Sequence, residues 1–296
     1  MPAARDPRAL SSLLAPGLFA LATGCGGATP LLHPAHTLRP GKVTFGAGAS
    51  GTFIAGPAKT SLDEARAVTT SGSIATDEEE QKLTEGTITS VLATPGVAPW
   101  VGARAGIAER TEAGAAYTGR WARIDVRHAL EERKLALSFG LAALALLAHP
   151  SADPAEPAGT SGQVSGVDSS GAYGFGFHVP VLVGYRSDAE LVQAWGGLVG
   201  TFEQAFGPVV IADDSPDDPS DTLEDDGVDE AKLDARRFSG AVVVGLAVGI
   251  EPIWVAVELT GRYFSLSGSL VNTNTHTQAD LTGLSIEPAG AVLGRF

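Results

Sequence analysis

The chain has 296 residues, 37 of them glycine, with 44% hydrophobic and only 18% charged side chains. Its net charge of −14 at pH 7 argues against a nucleic-acid role, because neutralising phosphates needs a basic face. The single cysteine, Cys25, excludes an intrachain disulfide and any multi-cysteine metal site. A glycine-rich, weakly charged composition of this kind suits many short, closely packed strands.

Residues 1–24 read as an export signal. Arg5 and Arg8 precede an apolar stretch, residues 9–22, that Pro16 and Gly17 interrupt. It is shorter than the ~20 residues a helix needs to cross a bilayer. Two processing readings stand. Leu21-Ala22-Thr23-Gly24-Cys25 resembles a bacterial lipobox, which would leave a lipidated Cys25 as the mature N-terminus, and this is the expectation carried forward. Ala20-Leu21-Ala22 also fits the small-x-small site of ordinary signal peptidase. Residues 25–41 then read as a linker. His33 and His36 flank Pro34 without further ligands, so they suit a flexible spacer better than a metal site.

Residues 42–54 alternate weakly through Val43, Phe45, Ala47 and Ala49 and predict a first strand. Residues 57–95 break the rhythm. Ser61-Leu62-Asp63-Glu64 and Thr76-Asp77-Glu78-Glu79 each look like a helix start, with acidic side chains at the positive end of the dipole. A helical excursion of one or two turns at each start is expected, with residues 86–93 extended.

From residue 97 a period of two takes over. Val101, Ala103, Ala105 and Ile107 share one face, and Trp100, Gly102, Arg104 and Gly106 the other. Beyond a turn near residues 109–112, one long strand is expected to run to Leu130. Near its end Ile124 and Val126 alternate with Arg123, Asp125 and Arg127. A charged turn at residues 131–134 leads into residues 135–148, where Leu135, Leu137, Phe139 and Leu141 share a face. Fourteen mostly apolar residues also suit a buried helix; Ser138 and Gly140 at alternate positions favour the strand.

Residues 150–171, rich in Ser, Gly, Pro and Asp, read as a surface loop. The next strand is the clearest in the chain. Phe175, Phe177, Val179, Val181, Val183 and Tyr185 alternate with Gly176, His178, Pro180, Leu182, Gly184 and Arg186. Residues 191–204 pair back, and residues 206–235 form an acidic loop. Residues 238–250, 253–266 and 281–296 complete the set, with a polar loop at 272–278. The acidic loop lacks calcium-loop spacing: with Gly227 at position six, Leu233 falls at twelve, where a glutamate belongs. Only weak, nonspecific divalent-cation binding is expected there.

Strands with one unbroken greasy face and a mixed opposite face suit a sheet with lipid on one side. Backbone groups in hydrocarbon must be paired within the protein, so such strands cross only as a sheet without edges. Segments of about 11–16 residues exceed the ~9–11 a tilted crossing needs. Long loops (57–95, 150–171, 207–234, 272–278) also contrast with tight turns at Glu131, Asp188 and Pro252.

On these residues, and on the exported N-terminus and terminal Phe296, residues 97–296 resemble a Gram-negative bacterial outer-membrane β-barrel protein, extending to residue 42 with the first strand. The resemblance implies an all-β fold: an antiparallel up-and-down transmembrane β-barrel of 8–10 strands with a short helical insertion near the N-terminus. It implies outer-membrane lipids and the barrel-assembly machinery as partners, with Phe296 as part of the signal that machinery reads. Eight strands lie in residues 97–296, and residues 42–54 and 86–93 would raise the count to ten. Either count leaves a narrow interior.

The inward-facing set is Arg104, Arg123, Asp125, Arg127, His178, Arg186, Glu203, Glu258 and Arg262. Opposite signs permit an interior ion-pair network that holds the barrel's shape, or alternatively a selective constriction for small solutes. His128 has the outward parity near a rim, but Leu135, Leu137 and Phe139 on the next strand offer it no serine or carboxylate. A structural or narrow solute-passage, porin-like role without catalysis, cofactor or metal is expected. The rivals are an outer-membrane lipid-modifying enzyme and a soluble β-barrel binding an apolar ligand.

Overall fold

The alternating segments pair into a closed ring. In the computed structural model, which describes residues 26–71, 76–147, 164, 167–212, 228–272 and 276–296, the strands are β1 (Val43–Ala55), β2 (Gly96–Ala108), β3 (Thr111–Tyr117), β4 (Trp121–Glu132), β5 (Leu135–Leu146), β6 (Val167–Asp168), β7 (Tyr173–Arg186), β8 (Val192–Ala212), β9 (Val228–Ile250), β10 (Ile253–Val271) and β11 (His276–Arg295). Ten of them form the ring, each antiparallel to its neighbours; β6 only extends the wall beside the far end of β8. The ring closes where β1 pairs β11, from Thr44 opposite Arg295 to Ala55 opposite Leu284. At that seam Val43 and Phe296 exchange backbone hydrogen bonds of 3.0 and 2.9 Å. Every strand of the ring has a partner on both sides, the condition for strands in hydrocarbon.

Four details depart from the sequence reading, besides the polar loop expected at 272–278, which β10 and β11 narrow by running to Val271 and from His276. The single strand expected from the turn at residues 109–112 to Leu130 is two, β3 and β4, because Gly119 takes a φ of +74° and Thr118 N–H bonds the carbonyl of Trp121 at 3.0 Å. Residues 86–93 are not extended. They belong to the second of two helices, α1 (Pro57–Ser71) and α2 (Asp77–Leu92), each longer than the turn or two expected. The total of ten therefore comes from the β3–β4 division. Helix α1 also starts before Ser61, at Pro57, since proline suits a first helical position that needs no N–H partner. The start of α2 is as read: Thr76 and Glu79 form a reciprocal capping box. Gly86 lets the two helices touch, since a Cβ there would collide with that of Ala65.

The fourth departure is the acidic loop. Strand β8 continues to Ala212 and β9 begins at Val228, so much of residues 206–235 is wall. Ala231, Leu233 and Ala235 are buried, while the outward positions carry Glu230, Lys232, Asp234 and Arg236. Residues 213–227, with the expected weak cation binding, and residues 1–25, with the signal peptide and Cys25, lie outside the described residues.

On the outer face the greasy residues form a band. From Tyr173 to Tyr185 is twelve residue steps of β7, about 40 Å of strand, or about 28 Å of height at a 45° tilt. Phe175, Phe177, Val179, Val181 and Val183 are exposed along it. At its upper edge Tyr173, Phe206, Phe175, Phe202 and Phe238 meet ring to ring, Tyr173–Phe206 at 4.3 Å and Phe202–Phe238 at 4.9 Å. Such a row matches the aromatic girdle of a membrane interface. The helix pair, the β10–β11 connection and the wall extensions of β8 and β9 share that rim; the short turns and the C-terminus share the other.

Candidate functional site

Two layers fill the interior. In the upper layer α1 and α2 bury Ala58, Leu62, Ala65, Leu83, Ile88 and Val91 against inward residues of the tall wall, including Phe264, Leu266 and Leu233. The lower layer holds the segment expected to be a linker. Residues 28–37 run through the lumen, and His33 and His36 are only 4% and 3% exposed. The spacer reading is overturned: this stretch belongs to the barrel's core. It enters beside the start of β2, where a Cβ on Gly26 would collide with the carbonyl oxygen of Pro95. It leaves at the opposite rim, where Gly41 N–H bonds the carbonyl of Gly106 at 2.9 Å and the chain becomes β1.

A segment with no regular structure leaves every backbone group in need of a partner. Charged side chains of the wall supply many of them. Glu258 on β10 accepts Leu31 N–H at 2.8 Å and Leu32 N–H at 2.9 Å, and also the indole N–H of Trp195 at 3.2 Å. Glu131 accepts Thr37 N–H and Glu112 accepts Leu38 N–H, both at 2.8 Å. Arg123 donates to Pro30 O at 2.7 Å; Arg127 donates to Pro34 O and, at 2.9 Å, to His36 O. Ser50 Oγ donates to Ala28 O at 3.0 Å, and Thr29 Oγ1 lies 3.3 Å from His178 Nε2. Hydrogen bonds to charged groups contribute about 1.5–3 kcal/mol each. They offset ordering that costs about 1–2 kcal/mol per residue of backbone.

The expected ion-pair network forms in two groups. On β2–β4, Glu112 bonds Arg104 and, at 2.7 Å, Arg127; Asp125 takes Arg104 at 2.6 Å and Arg123 at 3.4 Å. On β8–β11, Arg237 pairs with Glu203, and Arg262 grips Glu287 through bonds of 2.8 and 3.1 Å. Arg262 also donates to Thr201 and Ser239 at 3.0 Å each. Two predicted members differ from expectation. Glu258 holds backbone N–H groups in place of an arginine, and Arg186 sits at the turn rim with looser contacts, 3.9 Å to Glu131 and 3.7 Å to Glu190. Outward-facing His128 contacts Thr111 Oγ1 at 2.9 Å and lies 5.7 Å from the ring of Phe139.

Glu112, Glu131, Arg237 and Glu287 were missed. Parity could have found two of them: Glu287 shares the inward face with Ser285, and Arg237 with Ser239. Glu112 and Glu131 sit beside turns, where parity gives little guidance.

Below the segment, a cavity of about 550 Å³ opens at the turn rim, walled by Trp100, Trp254, Leu293, Arg104, Gln193 and Arg295 among others. Two further voids have volumes of about 20 and 10 Å³, each with room for about one water.

No protein-family model matches the chain, and no curated protein matches it. Among solved structures, Neisserial surface protein A matches over 86% of this chain and 99% of its own, at 10% identity and a TM-score of 0.31. A major outer membrane protein from Thermus thermophilus matches over 86% and 99%, at 11% identity and a TM-score of 0.33. The RagAB peptide transporter matches over 88% of this chain and 41% of its own, at 10% identity and a TM-score of 0.30. The barrel form rests on the chain's own strand pairing and not on these distant likenesses.

Proposed function

We propose that this chain is a small bacterial outer-membrane barrel with a structural, non-catalytic role, its lumen closed to diffusing solutes by its own N-terminal segment and helix pair. The outward greasy band with its aromatic edge supports the membrane reading. The closure rests on one observation above all: residues 28–38 are bonded on several sides to Glu258, Glu131, Glu112, Arg123 and Arg127. A ten-stranded ring encloses little space to begin with, and here that space already holds a peptide and two helices. A passage role would require the segment to give up the bonds that Glu258, Arg123 and Arg127 make to its backbone.

Planar-bilayer recordings test this. The full chain is expected to leave conductance at baseline after insertion is verified by heat-modifiable gel migration. Stable conductance steps from inserted protein would overturn the closed-lumen reading.

A further inference from the structure

The greasy band is not even all the way round. On its outer face three neighbouring strands each carry a glycine where the pattern calls for a bulky side chain: Gly200 on β8, Gly240 on β9 and Gly261 on β10. Gly200 lies opposite Gly240, and Gly261 lies opposite Val242, the next outward residue of β9. Among the described strand glycines, only these three would place a Cβ with nothing within 4 Å of it. Glycine weakens a strand interior and often marks a place where another molecule comes close. The side chains around them stand clear of the floor: Leu198, Val242, Tyr263 and Ile286 are each more than half exposed. The result is an open hollow of about 760 Å³ whose lining reaches over β8, β9, β10, β11 and β1. Four strand spacings make about 19 Å.

The hollow also slopes. Residues paired across neighbouring strands run in a row from Ala55 through Leu284, Tyr263, Gly240 and Gly200 to Val179. Ala55 ends β1 at the helix rim, and Val179 stands at the middle of the β7 band. The row therefore descends from the helix rim to the midplane, the depth that the lipid tails of one leaflet occupy. Apolar side chains flank it, Phe53 and Leu284 towards the rim, Leu198 and Val242 towards the midplane. In hydrocarbon neither a lipid tail nor a protein side chain gains by hiding from the other, so the fit of surfaces decides what settles there. A flexible tail can follow a slanting floor and regain the dispersion contacts that an unfilled hollow forfeits. A second barrel is stiff and convex, and would meet Leu198 and Tyr263 before the glycines.

We propose that this hollow seats one acyl chain of a membrane lipid from the helix-side leaflet and holds it longer than the rest of the ring holds its lipids. The place itself names the occupant, because the hollow is cut into the lipid-facing band and is continuous with it. The proposal rests on the membrane reading and is independent of whether the lumen is closed.

The test is titration of the purified full chain in nonionic detergent with palmitoyl-oleoyl phosphatidylethanolamine, bound lipids being counted by native mass spectrometry. The expected result is one lipid per chain taken up at a concentration about tenfold below that needed for any further lipid. Gly240→Leu fills the floor without disturbing the wall, since its Cβ meets open space, and should weaken that first step at least about fivefold. Gly261→Leu should do the same, and reads the hollow independently if Gly240→Leu does not fold. Val126→Leu, exposed on β4 across the ring, should leave the first step as it is. Absence of a distinct first step, an unchanged one in a correctly migrating Gly240→Leu or Gly261→Leu protein, or an equal loss in Val126→Leu would overturn the proposal. So would paired chains that Gly240→Leu separates, because a second copy would then fill the hollow. Heat-modifiable migration tells two failures apart: a chain that does not insert defeats the membrane reading and this one with it, whereas an inserted chain without a tightly held lipid defeats this one alone.

Discussion

Glu112→Ala is expected to destabilise the folded barrel by about 3–5 kcal/mol, the usual result of removing one partner from a buried charge cluster. Glu112 is only 1% exposed and serves three groups at once: Arg104, Arg127 and the backbone N–H of Leu38. Arg104 would keep Asp125. Arg127 would keep the carbonyl oxygens of Pro34 and His36 and the more distant charge of Asp125, leaving a buried guanidinium without a direct ion pair. The damage therefore falls on the wall and the lumen segment together. Glu112→Gln, which keeps an acceptor, should cost clearly less. Denaturant unfolding in detergent micelles measures both. A Glu112→Ala change within about 0.5 kcal/mol of the parent, the range of ordinary surface substitutions, would show that these charges are hydrated.

Val179→Arg should have the second large effect, for the opposite reason. Val179 is half exposed and six residues from each tyrosine that ends the β7 band. On a water-facing strand an arginine there would cost almost nothing. At the midplane of a bilayer it costs about 2–4 kcal/mol. Thr282→Arg is the control. It lies on the outer face of β11 opposite Ser265, in register with Phe238 at the band's upper edge, and should cost only about 0–1 kcal/mol. Reversible unfolding from lipid vesicles reads both. Equal, negligible effects at the two positions would remove the lipid from the account.

Within the band, the fold was legible because lipid and lumen make opposite demands on alternate residues. Each outward assignment on β5, β7 and β10 follows from that contrast, and so does the inward placement of Arg104, Arg123, Asp125, Arg127, Glu203, Glu258 and Arg262. Above the band the contrast changes sign: water lies outside and the helices lie inside. Ala231, Leu233 and Ala235 then become the buried face and the charged Glu230, Lys232, Asp234 and Arg236 the outer one, so a rule tuned to lipid reads the region as loop. The β3–β4 turn was hidden for another reason, since Thr118-Gly119-Arg120 interrupts the alternation for only three residues.

The lumen segment was illegible for a deeper reason. Residues 28–38 have no period, two prolines and two histidines, which is how a linker reads. What fixes them is non-local: Pro30 meets Arg123 and Leu31 meets Glu258, far along the chain. A hint lay in Leu31-Leu32, an apolar pair that a free spacer has no use for. The wall charges were found and their role half found. They pair with one another as expected, and they also hold a peptide.

Amide hydrogen exchange of the full chain in lipid nanodiscs, followed over the peptide covering residues 28–38, bears most directly on a lumen closed by the chain's own segment. Leu31, Leu32 and Leu38 donate to the buried carboxylates of Glu258 and Glu112, and Thr37 to the half-buried Glu131, so their amides should exchange as slowly as those of the surrounding strands although the segment has no regular structure. Complete exchange of that peptide within seconds, as for a solvated linker, would contradict the account.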